Sequence, residues 1–414
     1  MSSVSQSLGV RTESAAQWSV VALFAAFPLS LGLANVLMLL VLLLWVLGRG
    51  WHDRWMLLKG NPVAWMALGL YAWMCVGLLY TPAAWSDAQE HLGKYFKLPY
   101  MLVVITLLPD AVWRRRAMWA FLLAMMFTLA STYANIWWQL PWSRTQNLGW
   151  GYDHTVIKDY ISQGLMVSML ALVALAAVLN RRCPPRWRWV CGMVAVAAII
   201  SVTHLSHGRT GYLAVLAALG AFALFAVQGW KRLAVVWVVG LAIGGLYLSS
   251  PSLQGRVDQA VAEARYRNMD DLSSIGQRLY FAEKTWGLIQ EKPLLGWGTG
   301  AYHEQFCRVA DTQAWCDAGR VHPHNQILFI WVEHGVVGLA LLLGLIAAPV
   351  ARVWRDSGPK AVVLAGFSAL FMVGSLTHGA LWLSTENHFF TLMGALLASA
   401  AWASRQAGPS SRLT

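Results

Sequence analysis

The sequence predicts an all-α, polytopic helical membrane protein, and three features of the chain lead to that prediction. Apolar residues make up 57% of the 414 residues, whereas Asp, Glu, Lys and Arg together make up 12%. A soluble globular chain carries roughly 25% charged residues, so this composition argues against a soluble enzyme and against a disordered chain. The apolar residues form long runs, such as 20–47 and 339–350, and the polar segments between the runs alternate in charge. Such runs suit helices, which satisfy their own backbone hydrogen bonds in lipid.

Taken in order, the apolar segments predict about twelve membrane-spanning helices, because a helix needs about 20 residues to cross a bilayer. They lie near 18–32, 34–48, 62–80, 98–110, 117–140, 161–180, 188–204, 211–227, 233–249, 326–350, 361–380 and 389–404. We expect a single membrane domain over 1–414. The polar residues 1–17 and the long apolar run that follows them do not resemble a cleavable signal peptide.

The basic residues divide unevenly between the two sides of this predicted topology. One side comprises 1–17, 49–61, 110–116, 181–188, 228–232, 351–360 and 405–414. It holds 18 Lys and Arg against 4 acids, a net charge of +14, and the remainder holds 13 against 15, a net charge of −2. The positive-inside rule makes the first side cytoplasmic, together with both termini. The overall charge of +12 is therefore a topology signal, and we expect no nucleic-acid partner.

One large polar excursion, 250–325, lies on the non-cytoplasmic side between the ninth and tenth predicted spans. It contains Cys307 and Cys316, two of the five cysteines, and the chain has no CxxC pair. In an oxidising compartment these two cysteines could form a disulfide, and the alternative is a pair of free thiols.

A helix within this excursion carries the first candidate site residue. Ser274 and Gln277 form a capping pattern, and Pro293 ends the helical segment. The apolar residues 275, 279, 282, 286 and 289 fall on one helix face, with Arg278 at its flank. Arg278 is either a snorkelling side chain or a guanidinium held in place to bind a lipid phosphate.

A histidine-rich segment, Arg320-Val321-His322-Pro323-His324-Asn325, stands directly before the tenth span. Two histidines and an arginine at a membrane boundary are costly without a function. Pro323 directs the chain into the helix and Asn325 is a plausible N-cap, which places His324 at the outer end of the span. Deeper in that span, Glu333 and His334 are best interpreted as a buried hydrogen-bond network.

A third candidate is the tight turn 206–211, which contains His207 and Arg209. Arg209 starts the next helix, so its guanidinium, the free backbone N–H groups and the positive helix end together favour an anion. The alternative is an interfacial anchor. We prefer the anion site, because the positive-inside rule makes a lone outside arginine unexpected.

The outside acids show no D-x-D pattern that would hold a divalent cation. Asp270 and Asp271 are the only adjacent pair, and we interpret them as a solvated helix start. We therefore expect no metal and no cofactor, and an activity that is independent of divalent ions.

The segment after His324 resembles a known motif. His324-Asn325, nine intervening residues and Gly335-Val336-Val337-Gly338 are similar to the H-[NSQ]-x9-G-x-x-G motif of O-antigen ligases. Arg278, Trp286, Pro293 and 296–298 resemble the segment upstream of that motif in the wider ligase and polymerase superfamily. The turn 206–211 resembles the arginine-containing turn of the same family.

The resemblance implies a GT-C-like fold and a multi-pass glycosyltransferase of the bacterial inner membrane, with its active site on the periplasmic face. The donor would be a glycan on undecaprenyl pyrophosphate, and the acceptor a hydroxyl of lipid A–core oligosaccharide. Arg209 and Arg278 would bind the donor pyrophosphate, and His324 would take the proton of the acceptor hydroxyl. His322, Asn325, Arg320 and His207 would support the site.

Three alternatives remain open from the sequence. An O-antigen polymerase and a protein O-oligosaccharyltransferase share the superfamily pattern and differ in the acceptor. A lipid or solute transporter is a rival of another class, and it would place charges within several spans and break helices in paired positions. This chain instead places its costly charges at one face, which favours the enzyme. Direct attack by the acceptor predicts inversion at the anomeric carbon, since no carboxylate nucleophile stands out.

Overall fold

Every regular element in the described residues is an α-helix. The computed structural model of the chain describes residues 2–265 and 274–402, so Asp270 and Asp271 lie outside the described residues. The helices are, in chain order, α1 Ser2–Ala26, α2 Leu31–Leu47, α3 Trp51–Lys59, α4 Pro62–Gly77, α5 Trp85–Tyr95, α6 Lys97–Leu107, α7 Ala111–Ala134, α8 Tyr160–Leu179, α9 Pro185–His204, α10 Arg209–Phe225, α11 Lys231–Ser249, α12 Pro251–Arg265, α13 Ser274–Glu291, α14 Tyr302–Val309, α15 Gln313–Gly319, α16 Gln326–Arg352, α17 Pro359–Thr377 and α18 Ser384–Trp402.

Several of these helices suit a membrane. Among the described residues, six are long and apolar enough to cross one, namely α7, α8, α9, α11, α16 and α17. The pair α2 and α3 passes the same criterion as one broken segment bent by 115°, and α4 and α10 are shorter apolar helices. A polytopic helical membrane protein is thereby confirmed, while the number of about twelve spans stays a prediction.

Helix α8 lies at the centre of the bundle. Most of its side chains are buried, and it packs against α9, α10 and α17. Helices α10 and α17 also pack against each other, and α16 packs against α4 and α17. A helix that is apolar all round needs such surroundings, since each of its faces must meet another apolar surface.

The described residues of the predicted excursion 250–325 form the helices α12 to α15. Helix α13 covers Ser274–Glu291 of the described residues, and the buried face that the sequence predicts for it is wrong in part. Leu279 and Trp286 are 41% and 44% exposed, whereas the interior receives Tyr280, Phe281 and Leu288. The helix carries apolar residues on more than one face, and periodicity alone does not tell which face meets the protein.

A disulfide between Cys307 and Cys316 ties α14 to α15. The structure therefore holds these two cysteines as a pair rather than as free thiols. The remaining cysteines, Cys75, Cys183 and Cys191, are free.

Candidate functional site

The Arg209 turn is positioned by a close crossing of α8 and α10. A Cβ at Gly164 would lie 2.9 Å from the Cα of Gly211, so only glycine permits this approach of the two helices. At the residue before Arg209, a Cβ added to Gly208 would lie 2.8 Å from the ring of Tyr160. The start of α10, and with it Arg209, is therefore held against the N-terminal end of α8.

Arg278 approaches the same region from α13, which packs against α16. Burial lowers the pKa of the Arg278 guanidinium, and the positive charge of Arg209 lowers it further. Two guanidinium groups that act on each other form a site that favours a multiply charged anion. The positive charges of the two arginines that the sequence singles out therefore act on each other.

His324 occupies an unusual backbone conformation directly before α16. Its φ is +51°, the one positive value for a residue other than glycine among the described residues. Such a conformation costs of order 1–3 kcal/mol and persists where the surroundings fix it. Two contacts fix it here: the His324 N–H donates to Nδ1 of His322 at 3.1 Å, and the next residue, Asn325, caps α16.

The N-cap prediction for Asn325 is confirmed. Its side-chain oxygen accepts the N–H groups of Ile327 and Leu328, each at 3.0 Å. This cap starts α16 at Gln326 and so places His324 directly before the N-terminal end of the helix.

Helix α13 supplies a second neighbour of His324. The ring of Phe281 stacks on the His324 ring, with centroids 6.0 Å apart and planes 14° apart. Phe281 and Arg278 are three residues apart, which places both on the same side of α13. One helix face therefore orients the imidazole and presents a cation beside it.

A third histidine, His378, completes a cluster with His322 and His324. Its ring lies 5.3 Å from that of His324 and 5.6 Å from that of His322, measured between centroids. The Nδ1 atoms of His324 and His378 are buried and have no hydrogen-bond partner in the described part of the chain. We refer to these three residues as the histidine cluster.

The sequence interpretation missed His378 because it placed this residue inside a span, 361–380. In the structure α17 ends at Thr377, and His378 is its C-cap residue. The backbone carbonyl of His378 accepts the N–H of Gln326 at 3.1 Å, which joins this loop to the start of α16. The polar Thr377-His378-Gly379 break was the signal that could have located the helix end.

The three histidines are neutral near pH 7. Burial lowers the pKa of His324 to about 4, and the positive charge of Arg278 acts in the same direction. Burial likewise lowers the pKa of His378 to about 4, with further contributions from His324 and Arg278. His322, which is 7% exposed, has its pKa lowered to about 2, first by burial and then by the other two histidines. Neutral imidazoles can accept a proton, which is what a general base must do.

The histidine cluster also has the composition of a metal site. Each histidine offers one ring nitrogen, and these atoms lie within 4.8 Å of one another. It is the one such group in the described residues. One feature opposes a cation there, because the positive charge of Arg278 acts on His324 and on His378.

A pair of carboxyl groups, those of Asp159 and Glu386, lies on the side of His378 and was not identified from the sequence. The hydroxyl of Ser162 lies 2.6 Å from an oxygen of Asp159, the N-cap of α8, and 2.8 Å from an oxygen of Glu386 in α18. The negative charge of Asp159 opposes the lowering of the pKa of His378. These groups join the N-terminal ends of α8 and α18.

Two of the predicted supporting residues make contacts with residues outside the histidine cluster. Arg320 is exposed, and its guanidinium lies 3.7 Å from the carboxylate of Asp317. The Nε2 of His207 lies 3.4 Å from the carbonyl oxygen of Gly151, so His207 contacts the loop that precedes α8. Both contacts suit a structural role.

The hydrogen-bond network predicted for Glu333 and His334 in α16 is confirmed for Glu333, whereas both ring nitrogens of His334 are buried without a hydrogen-bond partner in the described residues. Oε2 of Glu333 lies 3.0 Å from Nδ1 of His91, and Oε1 accepts the N–H of Tyr302 at 3.1 Å. Glu333, His334 and His91 are all buried. This network joins α16 to α5 and to the start of α14 below the histidine cluster.

Comparison with known proteins gives a family match over part of the chain. Residues 194–343 match the family model described as O-Antigen ligase. This segment contains Arg209, Arg278 and His324. The resemblance to the O-antigen ligase family that the sequence motifs indicate is therefore confirmed.

Two curated relatives agree with this match. The chain is 29% identical over 153 residues to an O-antigen ligase of Salmonella typhimurium, which is 34% of each chain. It is 27% identical over 135 residues to a protein of Rickettsia conorii named as a polysaccharide ligase, which is 30% of this chain and 32% of that relative. The chain thus aligns with about a third of the length of the curated relatives it matches.

Proposed function

We propose that this chain, which matches the O-antigen ligase family over residues 194–343, is a membrane glycosyltransferase. It transfers a glycan from undecaprenyl pyrophosphate to a hydroxyl of lipid A–core oligosaccharide. One observation supports the proposal: His324 of the matched segment lies in a cluster of three histidines, and Phe281, from the helix that carries Arg278, stacks on its ring. Arginines suit a pyrophosphate, and a neutral imidazole suits the proton of an attacking hydroxyl.

The donor binds through its pyrophosphate, which Arg209 and Arg278 contact. Both substrates are lipids, so each can enter sideways from the bilayer with its polar group at the interface. The two guanidinium charges oppose each other in the free protein, and a bound pyrophosphate converts that repulsion into attraction. During transfer the same charges stabilise the negative charge that develops on the leaving group.

The transfer itself forms one bond and breaks one. The acceptor oxygen attacks the anomeric carbon, and the bond between that carbon and the pyrophosphate oxygen breaks. Undecaprenyl pyrophosphate leaves with the electron pair, and His324 takes the hydroxyl proton. Direct attack inverts the anomeric centre. The activity needs no divalent ion, because the arginines supply the positive charge that a metal would otherwise provide.

Donor binding also makes His324 a better base. In the free protein the positive charge of Arg278 contributes to the low pKa of His324. A pyrophosphate beside Arg278 offsets that charge, so the pKa of His324 rises toward the working pH, where a general base acts most effectively. The base therefore gains strength only when the donor is in place.

The test is reconstitution of the purified protein with lipid-linked glycan and lipid A–core. We expect a covalent product of the two, which mass spectrometry identifies. Longer lipid-linked glycans in place of that product would assign the chain to the polymerases, and a glycosylated protein would assign it to the protein O-oligosaccharyltransferases. Movement of the donor lipid between leaflets with no new glycosidic bond would support a transporter.

The proposed orientation is a bacterial inner membrane with both termini in the cytoplasm and the site at the periplasmic face. The charge difference between +14 and −2 supports it. Single cysteines at Gln254 and at Gly358, in a protein whose natural cysteines are replaced, should react with an impermeant reagent from opposite sides. Reaction of both from the same side would overturn the orientation.

A further inference from the structure

Three exposed aromatic side chains belong to segments that contact the Arg209 turn. Trp150, Tyr152 and Tyr160 are 56%, 57% and 44% exposed. Trp150 and Tyr152 belong to the connection between α7 and α8, residues 135–159, and Tyr160 is the first residue of α8. We refer to these three side chains as the aromatic rim.

Two contacts hold the first part of the rim against the end of α9 and the turn that follows it. The ring of Trp150 lies beside that of His204, the last residue of α9, with centroids 5.9 Å apart. The carbonyl oxygen of Gly151, which separates Trp150 from Tyr152, lies 3.4 Å from Nε2 of His207. The connection between α7 and α8 is therefore joined to the turn 206–211 by direct contact.

The rim also adjoins Arg209 itself. The ring of Tyr160 lies 2.8 Å from the position of a Cβ at Gly208, the residue before Arg209. His207 and Arg209 are two residues apart, so their Cα atoms are separated by at most about 7 Å. The exposed rings therefore border the backbone that presents the Arg209 guanidinium.

The backbone under Trp150 and Tyr152 is fixed. Gly149 and Gly151 have φ values of +88° and +87°, a left-handed conformation that favours glycine. The N–H of Gly149 donates to the carbonyl of Ile136 at 2.8 Å, and its carbonyl oxygen lies 2.7 Å from Nε2 of His154. Since this turn is already ordered, a ligand that covers its rings loses little affinity to the ordering of the chain.

Anchoring in the membrane interface is the other common function of exposed tryptophan. Trp142 of the same connection suits that function, because its ring lies 6.0 Å from that of Phe127 and its Nε1 donates to Ser131 at 3.3 Å, both on α7. Trp150 instead contacts His204 beside the polar Arg209 turn. Its surroundings are those of a binding site rather than of the side of a helix.

The chemistry of the donor indicates what meets the rim. In the proposed function Arg209 contacts the pyrophosphate, and the first sugar of the glycan is bonded directly to that pyrophosphate. One face of a sugar ring consists largely of C–H groups. An exposed aromatic ring covers such a face, while the sugar hydroxyls stay in water.

We propose that the aromatic rim is a sugar subsite, in which Trp150 and Tyr152 stack on the first sugars of the donor glycan. His207 is then a positioning residue, because its contact with Gly151 keeps these rings beside Arg209. The inference rests on the proposed function. It adds that the affinity for the donor depends on the face of a sugar as well as on the pyrophosphate.

The variants are Trp150→Leu and Tyr152→Leu in the full-length protein, which keep an apolar side chain and remove the aromatic ring. Trp138→Leu is the matched control, because Trp138 is 64% exposed in the turn directly after α7. Thermal unfolding checks that each variant is folded. The Kd values of undecaprenyl pyrophosphate with and without its glycan are then measured for each protein, in the absence of acceptor.

We expect the wild type to bind the glycan-bearing lipid more tightly than the bare lipid. Trp150→Leu should weaken binding of the glycan-bearing lipid about tenfold, as truncation of an aromatic contact residue predicts, with the Kd of the bare lipid unchanged. Tyr152→Leu should act in the same direction, and the control should leave both constants at wild-type values. Trp150→Phe keeps an aromatic face and should retain more affinity than Trp150→Leu.

Three results would overturn the subsite. Unchanged Kd values in Trp150→Leu would show that no sugar contacts this ring. An equal loss of affinity for both lipids would assign Trp150 to the pyrophosphate, the polyprenyl chain or the bilayer. Equal binding of both lipids by the wild type would show that the glycan contributes nothing. Absence of transfer by the wild type contradicts the proposed function instead, and leaves this binding comparison intact.

Discussion

Replacement of His324 by asparagine removes the proposed base while it preserves the backbone. His324 has a φ of +51°, a conformation that alanine adopts at a cost of roughly 1–2 kcal/mol and that asparagine tolerates well. His324→Ala therefore changes both chemistry and stability. His324→Asn retains the hydrogen bond from the backbone N–H of residue 324 to His322. Asn325 is unchanged, so the cap of α16 stays in place.

The size of the effect follows from the role of the imidazole. A positioned general base accelerates a reaction by about 10²–10⁴, which corresponds to about 3–5 kcal/mol of transition-state stabilisation. His324 acts only as the acceptor oxygen loses its proton, so replacing it should lower the rate of transfer. Donor binding depends on Arg209 and Arg278, whose charges are already present in the ground state, and should change little.

Single-turnover transfer with both substrates saturating is the decisive assay. We expect His324→Asn to transfer about 10²–10⁴ times more slowly than the wild type and to bind donor with an unchanged Kd. His303→Asn is the matched control, since His303 is a partly exposed histidine 3.6 Å from Asp87. A near wild-type rate for His324→Asn would show that His324 is a helix-start histidine and that the proposed mechanism is wrong.

The remaining predictions concern the charges of the site. Arg209→Ala and Arg278→Ala should raise the donor Kd and slow transfer. Lysine at either position should restore donor binding only in part, because it cannot make bidentate contact with the phosphate. Calorimetric titration of the donor tests this prediction, and an unchanged Kd contradicts it. The acid limb of kcat/KM should lie near pH 4, since activity is lost as pH falls through the pKa of His324. Arg278→Gln should move that limb upward, because it removes a charge that lowers the pKa, and a limb at the ordinary histidine value in the wild type would refute the assignment. Transfer should continue in EDTA, and loss of activity that Mg²⁺ or Mn²⁺ restores would show that a metal is required.

The sequence predicts best the features that depend on local chemistry. Asn325 follows the N-cap rule, and α16 starts one residue later, as predicted. Glu333 is buried with partners, because an ionisable group deep in an apolar span must be paired. Such inferences need only a few neighbouring residues, so a single sequence is sufficient for them.

Features that depend on packing were harder to predict from the sequence. The buried face of α13 differs from the prediction because this helix has apolar residues on its protein-facing side and also on its exposed side. His378 was placed within a span because a short break before a further apolar helix hardly changes the hydropathy. Its partners, His322 and His324, lie more than fifty positions away in the chain, so the cluster exists only once α16 and α17 are packed.

The backbone conformation of His324 depends both on local chemistry and on packing. Nothing in the segment Pro323-His324-Asn325 requires a left-handed residue at its centre, and a histidine there is strained. Contacts from three directions keep His324 in this strained conformation. His322 accepts the N–H of His324, Asn325 caps the helix that follows, and Phe281 stacks on the His324 ring. A strained residue that is fixed by so many neighbours has its imidazole in a set position before any substrate binds. Because catalysis depends on geometry that requires no rearrangement during the reaction, this preorganisation is a further reason to assign the proton transfer to His324 rather than to His322 or His378.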